Sequence, residues 1–213
     1  MIYLIGAPPR CGKTILAKKM SKEIKIPWIS CDTLDSISQE YVSAKIWVKK
    51  YPYSALRRKK GERDNDEFYA EHPPSKIIGL LRIEASSVHK AIETMIACEV
   101  ADGNDFIIEG YQILPSFADK MIKKFGKQHV KAIFLTKFDV NKFARDVHYS
   151  SNSNDWLLKI TKNQETFARV GKMVSEYSKI FNREAGGFGF SVFNMDENFY
   201  GQIKQAIKYL RKK

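Results

Sequence analysis

The segment Gly12-Lys13-Thr14, near the start of the chain, has the residue types that bind a phosphate group. Glycine lets the backbone approach the phosphate closely, lysine supplies a positive charge, and the threonine hydroxyl can bind Mg²⁺. The segment follows an apolar run at residues 2–5 and precedes a helical pattern, so a helix dipole would add to the attraction. We therefore predict a phosphate-binding loop between a strand and a helix, with an ordinary strand-to-helix turn as the alternative.

The general pattern of such a loop is G-x-x-x-x-G-K-[ST], and the first glycine of this sequence is out of register. Gly6 lies one residue too early, and Ala7 occupies the expected position. Because alanine has the smallest side chain after glycine, we still expect the backbone to curl there. The loop is predicted to bind ATP through Ala7, Pro8, Pro9, Arg10, Cys11, Gly12, Lys13 and Thr14.

Five short segments rich in isoleucine, valine or phenylalanine are typical of strands that are covered on both faces. Helical patterns separate them, and the longest, at 75–101, has Ser75 as its expected N-cap and includes Glu84 among its regularly spaced positions. This alternation predicts an α/β fold with a five-stranded, mainly parallel sheet and helices on both faces. The strands are expected at 2–5, 27–31, 105–109, 130–136 and 190–194, and the other helices at 15–24, 155–181 and 203–210.

Two stretches interrupt this alternation within what we predict to be a single domain, residues 1–213. Residues 45–74 are polar, basic and aromatic, and we expect an excursion over the edge of the sheet that closes over a substrate. Residues 145–156 are rich in serine and asparagine and are predicted to form a loop that acts as a lid. Lids exclude water and so prevent wasteful hydrolysis of ATP.

Three segments carry a resemblance to a known group of proteins. "LIGAPPRCGKTILA", "DFIIEGYQILP" and "KAIFLTKFD" resemble P-loop small-molecule kinases, in particular proteins like 2-phosphoglycerate kinases, zeta toxins and chloramphenicol phosphotransferases. The resemblance implies a nucleotide-kinase-like three-layer sandwich. It also implies an acidic residue after strand two, near the acceptor hydroxyl, which Asp32 matches best and Asp35 second. Asn194, after the fifth strand, lies where related nucleotide kinases place adenine.

Two carboxylates follow predicted strands and are candidate catalytic residues. Asp32 could orient or deprotonate the acceptor, although Asp32 or Thr33 could also simply cap the next helix. Glu109 ends an apolar strand, as a Mg²⁺-binding carboxylate does, and could hold the metal together with Thr14 or face the acceptor. The alternative for Glu109 is a structural carboxylate bonded to the loop or to a lysine. The next two residues, Tyr111 and Gln112, are candidates for substrate contact.

Phosphoryl transfer spreads negative charge over the transferring group, and kinases often meet it with an arginine. We take Arg145 as the catalytic candidate, since it directly follows the fourth strand. The other candidates are Arg10, Arg57, Arg58 and Arg63.

Composition narrows the class of protein. The net charge of +12 favours anionic partners, although scattered surface lysines would also account for it. No apolar run is long enough to span a bilayer and no signal peptide is apparent, so a cytoplasmic location without membrane association is expected. Cys11, Cys31 and Cys98 are too few and too scattered for a disulfide framework or a zinc site.

Three functions remain open from the sequence. The favoured one is a kinase that uses ATP and Mg²⁺ to phosphorylate a hydroxyl of a small, anionic acceptor. The second is a nucleotide or nucleic-acid kinase, in which Trp47, Tyr51 and Tyr53 would stack on bases among lysines. The third is an NTP-binding ATPase or switch. The sequence leaves the oligomeric state, the acceptor and the choice between ATP and GTP undetermined.

Overall fold

In a computed structural model of the protein, residues 1–58, 64–149 and 155–212 are described. Five strands form one sheet in the order β2-β3-β1-β4-β5, and every neighbouring pair is parallel. This confirms the predicted α/β fold with a five-stranded sheet. The strands are β1 (Ile2–Gly6), β2 (Trp28–Ser30), β3 (Phe106–Gly110), β4 (Val130–Thr136) and β5 (Ser191–Asn194).

Helices cover the sheet in two groups. The first and last helices pack on each other and on the sheet, and three long helices from the middle of the chain form the second group. Among the described residues the helices are α1 (Lys13–Ile24), α2 (Cys31–Glu40), α3 (Ala44–Lys50), α4 (Pro52–Arg58), α5 (Asn65–Glu71), α6 (Pro74–Ala101), α7 (Pro115–Phe125), α8 (Val140–Asp146), α9 (Trp156–Lys159), α10 (Gln164–Gly187) and α11 (Phe199–Arg211). None of them is long and apolar enough to cross a bilayer.

The ends of several elements differ from the predictions. Strand β2 is shorter than 27–31, because Ser30 caps a helix that already begins at Cys31. The predicted cap Ser75 is wrong, since Pro73 is the N-cap of α6 and Pro74 its first residue. Proline is favoured at that first position because its fixed φ suits the helix and its missing N–H would have no partner there.

The single helix predicted at 155–181 is wrong, because the chain leaves the helix after Lys159 and starts α10 at Gln164. The Asp155 side chain accepts the backbone N–H of Leu157, and the Asn163 side chain accepts that of Glu165. Each short polar side chain thus caps a new helix start, and this local bonding competes with a continuous helix.

The two interrupting stretches contain regular structure. Residues 45–74 include α4, α5 and most of α3, while 59–63, and therefore the candidate Arg63, lie outside the described residues. The predicted loop 145–156 begins inside α8 and continues as a 3₁₀ turn at Val147–Tyr149, and residues 150–154 again lie outside the described part.

Candidate active site

The candidate phosphate loop lies at the carboxyl edge of the sheet, next to the end of β3. Strand β1 is central, and its last residue, Gly6, pairs with Gly110 on one side and Phe134 on the other. Because parallel strands end at the same edge, the loop after β1 meets the segment after β3. A Cβ at Gly6 would lie 2.3 Å from the carbonyl oxygen of Ile113, so this glycine serves close packing rather than phosphate binding.

The loop turns through two residues with left-handed backbone conformation, Arg10 at φ 63° and Gly12 at φ 93°. Gly12 is the N-cap of α1, and a Cβ there would lie 2.8 Å from the Phe199 ring. Ala7 is fully buried and is not among the described residues with positive φ, so its position does not require glycine. The structure thus explains why the loop can curl without the first glycine of the general pattern.

A row of backbone donors faces no protein acceptor in this loop. Within the described residues, none of the backbone N–H groups from Arg10 to Ile15 donates a hydrogen bond, and no side chain caps Gly12. Pro8 and Pro9 have no N–H, so these six residues supply the donors. Free N–H groups at a helix start form an anion site, and the loop therefore fits a phosphate chain. The Lys13 ammonium lies over the loop, 2.9 Å from the Pro8 carbonyl oxygen.

Thr14 and Glu109 meet across the sheet edge, as a shared Mg²⁺ site requires. The Thr14 hydroxyl donates to the Glu109 carboxylate over 2.8 Å. Glu109 is only 1% exposed, and burial raises its pKa, while Lys13 and the Thr14 bond oppose that rise. A hydroxyl and a buried carboxylate beside a phosphate loop are oxygen ligands of the kind that Mg²⁺ prefers, so these residues fit the metal.

Asp32 stands beside this pair, in the first turn of α2. Ser30, not Asp32 or Thr33, caps that helix, so the predicted capping role is wrong. Asp32 is exposed, and one of its oxygens accepts a hydrogen bond of 2.9 Å from the side chain of Gln112. Gln112 is 1% exposed, and its backbone oxygen contacts the His89 ring. A fixed but accessible carboxylate can orient a hydroxyl and accept its proton.

A second pair of carboxylates lies deeper on the same side, on α2 and α6. Burial raises the pKa of Asp35 to about 6 and that of Glu84 to about 7. Glu84 accepts the backbone N–H of Ser54 over 2.6 Å and thereby ties α4 to α6. Both carboxyls also raise the pKa of Tyr111, after the larger effect of its own burial. Sequence reasoning missed the role of Glu84, and the available signal was a charged residue in the apolar pattern of α6.

The arginine candidates are dispersed. Arg10 pairs with Asp155, Arg57 donates to the Asn65 side chain over 2.7 Å, and Arg58 lies over the Trp47 ring. Arg145 is exposed in the last turn of α8, and its catalytic role stays a prediction.

Asn194 and the two loop-side cysteines have structural surroundings. Asn194 ends β5, and its side chain accepts the backbone N–H of Asp196 over 3.1 Å, so it shapes the turn where adenine was predicted. Cys11 and Cys31 are fully buried, and burial raises the pKa of Cys11 to about 11. Buried thiols with raised pKa values are poor nucleophiles, which favours two inert, reduced cysteines.

No model of a known protein family matches the sequence, and no curated protein matches it. Solved structures do match. A shikimate kinase from Bacteroides thetaiotaomicron is 16% identical with a TM-score of 0.52, over 99% of this chain and 96% of that chain. A gluconokinase from Sinorhizobium meliloti 1021 is 10% identical with a TM-score of 0.53, over 98% and 90%.

An uncharacterized protein from Eubacterium ventriosum ATCC 27560 also matches, at 14% identity and a TM-score of 0.52, over 99% of this chain and 97% of that chain. The resemblance to 2-phosphoglycerate kinases, zeta toxins and chloramphenicol phosphotransferases stays a prediction. The sheet order and these structural matches show that the chain has the α/β fold of this shikimate kinase and this gluconokinase.

Proposed function

We propose that the protein is a kinase that transfers the γ-phosphate of ATP to a hydroxyl of a small acceptor. The observation that carries this proposal is the combination of free backbone donors from Arg10 to Ile15 with the Thr14–Glu109 hydrogen bond at the same sheet edge. An ordinary strand-to-helix turn leaves free only the N–H groups of the first helical turn, whereas here those of Arg10 and Cys11 donate no hydrogen bond to a described residue either. The fold shared with a shikimate kinase and a gluconokinase supports it.

Each residue of the site has a task in this reaction. The backbone N–H groups and the Lys13 ammonium bind the phosphate chain and stabilise the charge that develops on it. Thr14 and Glu109 would hold Mg²⁺, which would supply positive charge that offsets the charge of the phosphate chain. Asp32, held by Gln112, orients the acceptor hydroxyl.

The chemical step is a displacement at phosphorus. The acceptor oxygen forms a bond to the γ-phosphorus while the bond from that phosphorus to the β,γ-bridging oxygen breaks, and ADP leaves. The proton of the acceptor hydroxyl passes to the Asp32 carboxylate. Asp32 suits this role because its carboxylate is exposed on α2, at the same end of the sheet as Glu109.

The acceptor would bind beside α2, α4 and the end of β3. Arg57, on α4, places a guanidinium in this region, where it donates to Asn65 and lies over the Phe68 ring. A fixed positive charge beside the acceptor attracts an anionic group. This supports the predicted anionic acceptor.

The same region does not favour a nucleic-acid substrate. Trp47 donates to Gln39 over 2.9 Å and lies under the Arg58 guanidinium, Tyr51 is 1% exposed, and Tyr53 packs edge-on against Phe68. Aromatic rings that stack on bases must present an open face. These three rings are instead used within the protein, which supports a small-molecule acceptor.

The proposal is tested by incubating the protein with γ-labelled ATP, Mg²⁺ and a pooled metabolite extract. We expect a new labelled small molecule, whose formation falls about 100- to 1,000-fold in Lys13→Ala, as is typical when one transition-state donor is lost. Lys22→Ala, an exposed lysine in the last turn of α1, is the matched control and should leave the rate unchanged.

Three other outcomes would count against the proposal. Label that appears in added RNA or DNA oligonucleotides would indicate a nucleic-acid kinase. ATP hydrolysis that depends on Lys13 but yields no labelled product would indicate an ATPase or switch. A labelled product that forms equally in Lys13→Ala would mean that the phosphate loop is not the site.

A further inference from the structure

The segment 155–163 contacts both sides of the candidate site, and we call it the bridging segment. At its start, the Asp155 carboxylate forms an ion pair with the guanidinium of Arg10 in the phosphate loop. Both partners are largely buried, with side-chain exposures of 17% for Arg10 and 5% for Asp155. An ion pair of low exposure is less screened by water and salt than a surface pair, so it can fix the position of the loop relative to the segment.

The far end of the bridging segment is bonded to the start of α5. The Asn65 side chain donates to the Thr161 hydroxyl over 2.9 Å. The Asp66 carboxylate accepts the backbone N–H groups of Lys162 over 2.9 Å and Asn163 over 3.2 Å. Asn65 is fully buried, so its hydrogen bond to the segment is shielded from water and helps to hold α5 against the segment.

The connection continues from α5 to α4. The side-chain oxygen of Asn65 accepts a hydrogen bond of 2.7 Å from Arg57, and the Arg57 guanidinium also stacks over the Phe68 ring. Polar contacts at both ends of the bridging segment therefore connect the candidate phosphate loop, through the chain of the segment, with α5 and α4.

Arg10 itself is in an unfavourable backbone conformation. Its φ of 63° lies in the left-handed region, which is unfavourable for a residue with a side chain. The ion pair with Asp155 anchors the side chain and offsets this cost. This left-handed turn lies within the run of free N–H groups from Arg10 to Ile15, so the geometry of that run includes a residue whose side-chain partner lies 145 positions away.

We propose that Asp155 is a positioning residue, which holds Arg10 and the phosphate loop in their binding conformation and couples nucleotide binding to the order of α4 and α5. This inference rests on the proposed function, because it requires the loop to bind ATP. Occupation of the loop would fix its backbone, including Arg10, and the bridging segment would pass that restraint to Asn65 and Asp66. Since such coupling is reciprocal, an ordered acceptor side in turn strengthens nucleotide binding.

Hydrogen exchange measured by mass spectrometry tests the coupling without knowledge of the acceptor. The wild type is compared with and without Mg²⁺ and a non-hydrolysable ATP analogue. We expect slower exchange in the loop and also in α5. In Asp155→Asn the nucleotide-induced protection of α5 should fall about tenfold, a coupling of ordinary size for two linked sites. Asparagine can still cap α9, as Asn163 caps α10, so the helix start is preserved.

A second variant separates coupling from loop shape. Arg10→Gly removes the ion pair but keeps the backbone N–H and tolerates the left-handed backbone, so a saturating concentration of nucleotide should still protect the loop while α5 loses its protection. Glu165→Gln is the matched control, because it removes the exposed pair with Arg169 on α10 and should change neither.

Two results would overturn the inference. One is nucleotide-induced protection of α5 that is equal in Asp155→Asn and the wild type. The other is exchange of α5 that does not depend on nucleotide in either protein, fast in Asp155→Asn and slow in the wild type. This result would show that the ion pair has only a structural role. If the wild-type loop itself gains no protection, the proposed function fails first, and the inference fails with it.

Discussion

The candidate phosphate loop and the helices α4 and α5, beside the proposed acceptor position, are held in different ways. Most contacts of the loop are close in sequence, with Gly12 as the cap of α1 and Lys13 folded onto the Pro8 carbonyl, and the Arg10–Asp155 pair adds a long-range contact. The acceptor-side helices depend on distant partners, since Glu84 binds the start of α4 and Thr161 binds Asn65 at the start of α5. Short helices of this length are not stable alone, so tertiary contacts must supply their stability.

This difference suits two tasks of the proposed kinase. The backbone donors of the loop can bind the phosphate chain of a nucleotide. Helices held by a few long-range polar contacts open at low free-energy cost, and in our proposal the Arg10–Asp155 pair links that opening to the loop. We therefore expect substitutions in the two regions to have distinct signatures, on chemistry for the loop and on pH-dependent stability for the acceptor side.

The largest effect is expected at the carboxylate that meets the loop. Glu109→Gln retains an oxygen that can accept the Thr14 hydrogen bond but removes the charge. We expect the rate of phosphoryl transfer to fall about 100-fold, in the range seen when a group that stabilises the transition state is lost. The thermal midpoint should stay equal or rise, because burial raises the pKa of Glu109 and its charged form is therefore costly to the fold.

Glu93→Gln is the control for this experiment, since Glu93 pairs with Lys120 and Lys124 on α7. Its rate should match that of the wild type. A Glu109→Gln variant with an unchanged rate and an unchanged dependence on Mg²⁺ would show that this carboxylate has only a structural role, as an acceptor for Thr14.

An effect of intermediate size is expected from Asp35 and Glu84, in the pH dependence of the free energy of unfolding. The pKa of Asp35 is raised from 3.8 to about 6 and that of Glu84 from 4.5 to about 7. At pH values between the ordinary and the raised pKa, the folded protein therefore binds more protons than the unfolded chain. These two carboxyls therefore add stability at low pH, and that stability is lost as pH rises from about 4 through about 7.

Urea unfolding of the wild type and of Asp35→Asn/Glu84→Gln across this pH range measures the contribution. The difference in unfolding free energy between the two proteins should change steadily between pH 4 and 7 and stay constant above about 8. Glu165→Gln, at an exposed carboxylate, should show no such change. A flat difference would mean that both carboxyls have ordinary pKa values and are not buried together.

The smallest effect is expected where the loop departs from the general pattern. Ala7→Gly restores the missing glycine, but Ala7 has no positive φ and is fully buried, so the substitution should change ATP affinity by less than about threefold. It should lower stability by about 0.5–1 kcal/mol through the added freedom of the unfolded chain. Calorimetric titration of ATP and urea unfolding measure the two quantities.

Ala17→Gly, at a buried position inside α1, serves as the matched control and should lower stability without affecting ATP binding. An increase of ATP affinity by tenfold or more in Ala7→Gly would contradict our account, because it would mean that the alanine side chain restricts the loop.

Much of the fold could be predicted from patterns along the chain. All five strands were located to within a residue or so of each end, because strands buried on both faces are continuous apolar runs. The start of α1 could be predicted from Gly12-Lys13-Thr14. The caps at Asp155 and Asn163 were missed, since a short polar side chain interrupts a helix only when it turns back onto its own backbone.

The sequence by itself thus determined the sheet, the loop that we propose binds phosphate and the residue types in and beside it, because these follow from local spacing and from apolar periodicity. Only the tertiary structure placed Glu84 against Ser54 at the start of α4, Gln112 against Asp32, and Asp155 against Arg10. Each of these pairs joins residues at least 30 positions apart. Such pairs form because a polar group buried by the packing of several elements must find a partner wherever the fold brings one.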